Sequence, residues 1–384
     1  MQHAATSSYS WQYYDRVIQL TTGQILAAGH AIVCEEPLRG WDSIVPPAHP
    51  YGGVPVNRID LTTDTYLPGP DPNDLPVSPT EKPGALDYCN TVVLHTLKDR
   101  HVSSFPADPL TNYDLDRVIV SGGGYEVTTA ANGASHPQPL VLEYSSGVWL
   151  QKARPAVARF MAYTVPLPDG TILLEGGVWN TNRHLDVGAK FEPTVQRFDP
   201  QLPGQPGVWT TMAPRPKVEH PVTEELFTPA RGYHHVALLL KDGSVAVIGG
   251  REVHENNEPW NGYRPSSSVE LYKPLYFFLP NRLKITPAPT AVMHYDSEYC
   301  VTVDRPNAVD WACLIGVGSV THFFDTGARY VELMALPCSS GGNIKLRIPQ
   351  DPRIAPEGYY LLFVVEERNG VPVPSKGVFV KLTF

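Results

Sequence analysis

The stretch 231–250, RGYHHVALLLKDGSVAVIGG, decides the fold. A tyrosine and two histidines precede an apolar run. An Asp-Gly pair follows, then a second apolar run and a Gly-Gly. Two short apolar runs separated by Asp-Gly read as a β-hairpin. The same texture recurs along the chain: TTGQILAAGH at 21–30, DLDRVIVSGGG at 114–124, DGTILLEGG at 169–177 and DGSVAVIGG at 242–250. After each comes another strand-like run: VNRIDLTTDTYLPG, LVLEYSSGVWLQKA, VQRFDPQLPGQPGVWTTM and SSVELYKPLYFF.

That is about four strands per unit, the pattern of a propeller blade. Such a blade is apolar on both faces and has to be stacked between neighbours. Four units are visible between about residue 15 and residue 279. They exceed the roughly 50 residues of a kelch blade because Pro-rich insertions interrupt them. The 39 prolines and 31 glycines suit many turns joining many short strands. Past Leu279 the runs NRLKITPAPTAVMHYDSEYCVTVD, WACLIGVGSVTHFFDT, NIKLRIPQD and GYYLLFVVEERNGVPVPSKGVFVKLTF alternate at sandwich spacing. The expectation is an all-β chain: a kelch-like β-propeller of four or five blades over 1–279, then an immunoglobulin-like β-sandwich over 280–384. No helix of useful length is expected.

The bulk numbers exclude several classes. The net charge is −9 and no Lys/Arg run occurs, which argues against nucleic acid and against an anionic membrane surface as partners. No apolar run reaches transmembrane length. MQHAATSSYSWQYYDRV has no basic-then-apolar leader pattern, which leaves a cytoplasmic location as one expectation. The five cysteines, Cys34, Cys89, Cys300, Cys313 and Cys338, contain no CxxC, so structural zinc is disfavoured. A disulfide is possible among the last three, without a readable pairing.

The order of kelch-like blades, RxYHxxxLLxDGxVxxxGG, VELYxPLYF, then GSVTHxxDTxxR and APxGYYxLFV resembles the galactose oxidase/glyoxal oxidase family of copper radical oxidases. The match is strongest over 231–384, traceable over 86–180 and poor before that. The resemblance implies one copper on the propeller axis, held by two tyrosines and two histidines, one of which the sandwich sends into the ring. It further implies a thioether joining one tyrosine to a cysteine, with a tryptophan stacked over it. Relatives are usually exported, so an extracellular location is the second expectation.

Carried over position by position, the metal ligands would be Tyr233, His234 and His322. Cys89 falls on the cross-linking cysteine and Trp179 on the stacking tryptophan. The cross-linked tyrosine should lie two residues after Arg159, and that position is Met161. A methionine cannot form the linked phenoxyl. Tyr163, two residues on, would share a strand face with it. A second departure is length: Tyr233 follows Met161 by 72 positions, too few for the additional blades the family has there.

Without the family, Tyr233, His234 and His322 are an N,O donor set suited to copper. His235 should point away from His234 and serve structure. Cys89 and Met161 with the two histidines would make a soft electron-transfer inventory, Cys89 alone a buried inert thiol. Arg159 and Arg231 recur at equivalent blade positions and should tie blade to blade; Arg329 should do so between domains. Glu175 and Glu192 are placed by no motif. Two functions follow. One is a diverged copper-dependent oxidase turning an alcohol or aldehyde and O2 into product and hydrogen peroxide, with Tyr233 as base and the radical chemistry put in question by Met161. The other is a non-catalytic propeller that binds carbohydrate or protein, with or without copper.

Overall fold

The computed structural model describes residues 16–28, 57–60, 65–67, 89–121, 123–127, 134–137, 141–146, 148–159, 161–178, 192–219, 226–229, 231–253, 263–265, 268–286, 292–338 and 343–384. The described secondary structure is strand, apart from three short 3-10 turns.

Four blade-like antiparallel sheets follow one another. The first comprises Arg16–Gln19, Gln24–Ala28, Asn57–Asp60 and Thr65–Leu67. The second comprises Asn90–Leu97, Tyr113–Ser121, Val141–Ser145 and Val148–Gln151. The third comprises Tyr163–Pro166, Ile172–Glu175, Gln196–Asp199 and Val208–Thr211. The fourth comprises His235–Leu239, Val245–Gly249 and Val269–Tyr272. Its run KPLYFF, read in the sequence as strand, instead forms a 3-10 turn over Leu275–Phe278. Pro274 precedes that turn, cannot donate to a ladder, and ends the pairing.

The repeated Asp-Gly has a physical reason. In the third and fourth blades the first two strands close on the same turn, with Gly170 N–H donating to Leu167 O at 3.0 Å and Gly243 N–H to Leu240 O at 2.9 Å. Both glycines sit at positive φ, 84° and 87°, where other residues are strained. The aspartate before each accepts from the backbone N–H and hydroxyl of the residue after it: Asp169 from Thr171, Asp242 from Ser244.

Buried arginines at the positions the sequence singled out bond strands of their own blades, the third and the fourth, where ties from blade to blade were expected. Arg159 donates to Gly176 O, Thr194 O and Gln196 Oε1. Arg231 donates to the matching Gly249 O, to Ser268, and to Glu270 at 2.8 Å. Glu270 also receives Arg215 through two hydrogen bonds, at 2.7 and 3.0 Å.

The C-terminal region packs a sheet containing Trp311–Gly316, Arg329–Leu333, Gly358–Arg368 and Val378–Thr383 against Glu298–Thr302, Asn343–Arg347 and Ala335–Pro337. Leu314, Val331, Leu346, Leu362 and Val364 fill the space between. A disulfide joins Cys300 to Cys338, and Cys89 and Cys313 are buried thiols. Cys34 lies outside the described residues.

A sheet crosses the expected 279/280 boundary. Asn90–Leu97, the inner strand of the second blade, pairs in parallel with Arg329–Leu333, giving one ten-stranded sheet. Fully buried Glu332 seals the seam, accepting from Leu97 N at 2.9 Å and from Arg100 Nε at 3.1 Å. Arg329 bonds His95 Nε2 at 2.8 Å and donates to Ile354 O at 2.9 Å, so it links the two regions. Val92, Leu94, Ile172 and Phe198 of the blades pack on Cys313, Ile315, Tyr330, Leu361 and Phe363.

Candidate metal centre

Two turns build the site. In the fourth blade, His235 N–H donates to Gly232 O at 3.1 Å, closing a four-residue turn with Tyr233 and His234 at its centre. His234 is the third residue and has φ 65°. Positive φ there is the type II pattern, a place where glycine is usual. In the C-terminal region, Val320–Thr321 pairs with Phe324–Asp325, leaving a two-residue hairpin loop of His322 and Phe323. Their φ values are 45° and 63°. Two central residues at positive φ make a type I′ turn, normally Asn-Gly. Asp325 Oδ1 accepts from Ser319 N and Gly327 N, both at 2.8 Å, and holds the hairpin base.

The hairpin tip is anchored from the third blade. Phe323 is fully buried among Met161, Tyr163, Ala237 and Val247, and its N–H donates to the buried Tyr163 hydroxyl at 3.1 Å. Positive φ at three side-chain-bearing residues in one place is strain that the surroundings must over-determine, and such strain clusters at functional sites.

These turns bring Tyr233, His234 and His322 together. His234 Nε2 lies 2.9 Å from His322 Nε2. The two imidazoles meet nearly at right angles, with centroids 4.6 Å apart. The Tyr233 ring stacks on His234 at 3.8 Å and lies edge-on to His322 at 5.9 Å. Thr321 Oγ1 is 2.7 Å from His322 Nδ1, a contact that fixes the ring's orientation. Desolvation lowers the His322 pKa below its usual value, favouring the neutral ring that ligates metals.

The donor set fits a first-row metal. Bonds of about 2.0–2.1 Å from two imidazole nitrogens meeting at a right angle put those nitrogens about 2.9 Å apart. The same spacing suits an N–H···N bond between two neutral rings. Among the described residues no three His, Cys, Asp or Glu side chains gather around one point, so the centre is two imidazoles with a phenol alongside.

The remaining expected residues are placed as follows. Met161 is buried and belongs to the same cluster as Tyr163 and Phe323, with Tyr233 packed against it. Its φ is 57°, and the strand starts only at Tyr163. Strand alternation between Met161 and Tyr163 therefore does not apply, contrary to the expectation from the sequence. Cross-strand register sets Tyr163 opposite Glu175 and Val236 opposite Ile248. Met161 precedes Tyr163 by two residues as His234 precedes Val236, so both occupy the left-handed position before an inner strand. Cys89 is fully buried, and the next residue, Asn90, hydrogen-bonds Ala162 O, which brings this strand against the third blade. Trp179 lies outside the described residues.

Sequence reasoning missed two contributors. Phe323 sits in an apolar run like many others. Glu175 Oε1 lies 3.0 Å from His235 Nε2 across 60 positions, and no local pattern encodes so distant a pairing.

Residues 282–382 match the family described as Galactose oxidase-like, Early set domain. The chain is 27% identical over 300 residues to a galactose oxidase of Gibberella zeae, covering 77% of this chain and 38% of that protein. It is 26% identical over 296 residues to the aldehyde oxidase GLOX of Vitis pseudoreticulata, covering 71% of this chain and 51% of that protein. The chain thus spans between 38% and 51% of these two relatives. Among solved structures, a fungal alcohol oxidase in complex with copper superposes with a TM-score of 0.57 at 18% identity, over 98% of this chain and 76% of that one. That likeness concerns the fold: blades followed by a β-sandwich. The chain is thus similar to proteins named galactose oxidase and aldehyde oxidase, and its residues 282–382 match the galactose oxidase-like early set domain.

Proposed function

We propose that this chain is a diverged copper-dependent oxidase whose metal half-site consists of His234 and His322, with Tyr233 beside them. The observation that carries the reading is the 2.9 Å approach of two imidazole nitrogens supplied by separate regions of the chain. The relatives named galactose oxidase and aldehyde oxidase support the reaction class: oxidation of a small alcohol, aldehyde or carbohydrate with O2 as acceptor.

Copper, when bound, supplies one-electron redox chemistry and Lewis acidity at the substrate oxygen. The chain's own residues do the rest. His234 and His322 would present their Nε2 atoms from two turns with left-handed backbone. Tyr233 would be the candidate base for the substrate hydroxyl proton, in the phenolate form that a bound metal would favour. The Met161 thioether carries no exchangeable proton and offers no phenol, so turnover of the family's radical type has no residue there.

Met161 also favours a second reading: a copper-binding propeller without oxidase turnover, used as a platform for carbohydrate or protein. One experiment separates the two. The purified protein is loaded with copper, its metal content measured, and peroxide release assayed over alcohols and aldehydes. One copper per chain with peroxide supports the oxidase. One copper without peroxide supports the platform, and no copper refutes both metal readings.

A further inference from the structure

We infer that Glu175 and His235 are positioning residues for the half-site, a buried clamp that holds the Tyr233–His234 turn against the third blade. The inference rests on the reading of His234 and His322 as metal ligands, and goes beyond it by naming what keeps His234 in place.

The geometry is closed on every side. His235 Nδ1 lies 2.6 Å from Gly232 O, the carbonyl that already receives the His235 backbone N–H. One side chain thus ties its own turn a second time. Its other nitrogen, Nε2, is 3.0 Å from Glu175 Oε1 on the neighbouring blade. Both residues are buried, His235 at 0% and Glu175 at 1% exposure. Among the described residues the other Glu175 oxygen has no hydrogen-bond partner, and His235 is the partner of the first. Between them, Gly176 makes the approach possible. A Cβ there would stand 2.6 Å from His235 Nε2 and 2.9 Å from Arg231 O. Gly177 N–H then donates to Arg231 O at 2.7 Å, so Glu175, Gly176 and Gly177 together dock the turn. The Tyr163 ring, which anchors the His322 hairpin, meets the His235 ring edge-on at 5.0 Å. The clamp therefore touches the supports of both imidazoles.

The repeat makes Glu175 conspicuous. Its register equivalent in the fourth blade is Ile248, an exposed apolar residue. A buried acid at one blade's copy of an apolar position needs a partner, and His235 is that partner. Partners that orient metal ligands from behind typically change metal affinity 10–100-fold when removed.

The test uses the whole chain with cupric ion as probe. Glu175→Ala is expected to weaken copper binding about 10–100-fold in a chelator competition and to alter the electron paramagnetic resonance spectrum of the bound ion. Glu175→Gln, which keeps an acceptor oxygen, should stay within about threefold of the parent and keep its spectrum. In the metal-free protein, Glu175→Ala should speed amide exchange of 232–236 at least about tenfold while 311–316 is unchanged. Should Glu175→Ala fail to fold, His235→Asn, which can still reach Gly232 but is too short for Glu175, carries the same readouts. Parent-like affinity, spectrum and exchange in Glu175→Ala or His235→Asn would overturn the clamp. A parent protein that binds no copper would refute the proposed function alone, and the exchange measurement still decides whether the clamp exists.

Discussion

His234 is held at φ 65° in a turn that glycine would fill without strain, and this predicts an unusual stability ranking. Left-handed backbone costs a side-chain-bearing residue about 1–2 kcal/mol. Replacing it by glycine removes that cost but adds unfolded-chain entropy of about 0.4–1 kcal/mol. Alanine has the same Cβ and relieves nothing. Both variants lose the ring that stacks on Tyr233 at 3.8 Å, so this loss cancels in their comparison. His234→Gly should therefore be more stable than His234→Ala by roughly 0.5–1 kcal/mol. With a urea slope of about 3 kcal/mol/M, the midpoints should differ by about 0.2–0.3 M. Neither variant should bind copper at the half-site. In an ordinary strand or helix the order is reversed, because glycine is the poorer residue there. If His234→Ala unfolds at the same or a higher urea concentration than His234→Gly, the turn is not strained and the reasoning fails.

Tyr163→Phe removes the hydroxyl that accepts from the buried Phe323 N–H, so urea unfolding should show a loss of about 1 kcal/mol, and copper titration should show weaker binding through the loosened hairpin. Removing the Cys300–Cys338 disulfide, which spans 38 positions, frees a loop whose closure is worth about 4 kcal/mol; paired serine substitutions should lower stability by up to that amount in the same assay. Glu332→Ala leaves the seam's Arg100 and Leu97 N–H without their acceptor and should cost about 3 kcal/mol or more, whereas Glu332→Gln should cost less, a difference visible by calorimetry.

Much of the architecture was legible because it is encoded locally. Asp169-Gly170 and Asp242-Gly243 mark turns through their own side-chain bonds, and the apolar runs flanking them read as strands. Arg159 and Arg231 were readable as structural because the repeat places them alike, but the expected tie from blade to blade is a bond within each blade. The halves of the candidate metal centre were legible only through the resemblance, since nothing local tells His234 that His322 waits 88 positions away. What stayed hidden is non-local or conformational. The left-handed backbone at Met161 breaks the alternation that the residues 161–163 suggest. The Glu175–His235 pair joins two blades through a contact with no sequence period. The parallel pairing of 90–97 with 329–333 crosses a boundary where the sequence texture changes, and texture reports local packing, not which edge a strand finally joins.

That parallel pairing has a consequence for biosynthesis. Leu97 and Glu332 meet across 235 positions, so the second blade leaves the ribosome long before its inner edge can be covered. Through that interval its backbone donors and acceptors are open to any passing strand. Non-local parallel pairing is also slow to form, which lengthens the exposure. The early set region thus acts as a late-arriving edge cover for the blades, and truncation after residue 279 is expected to yield aggregate instead of a free-standing propeller.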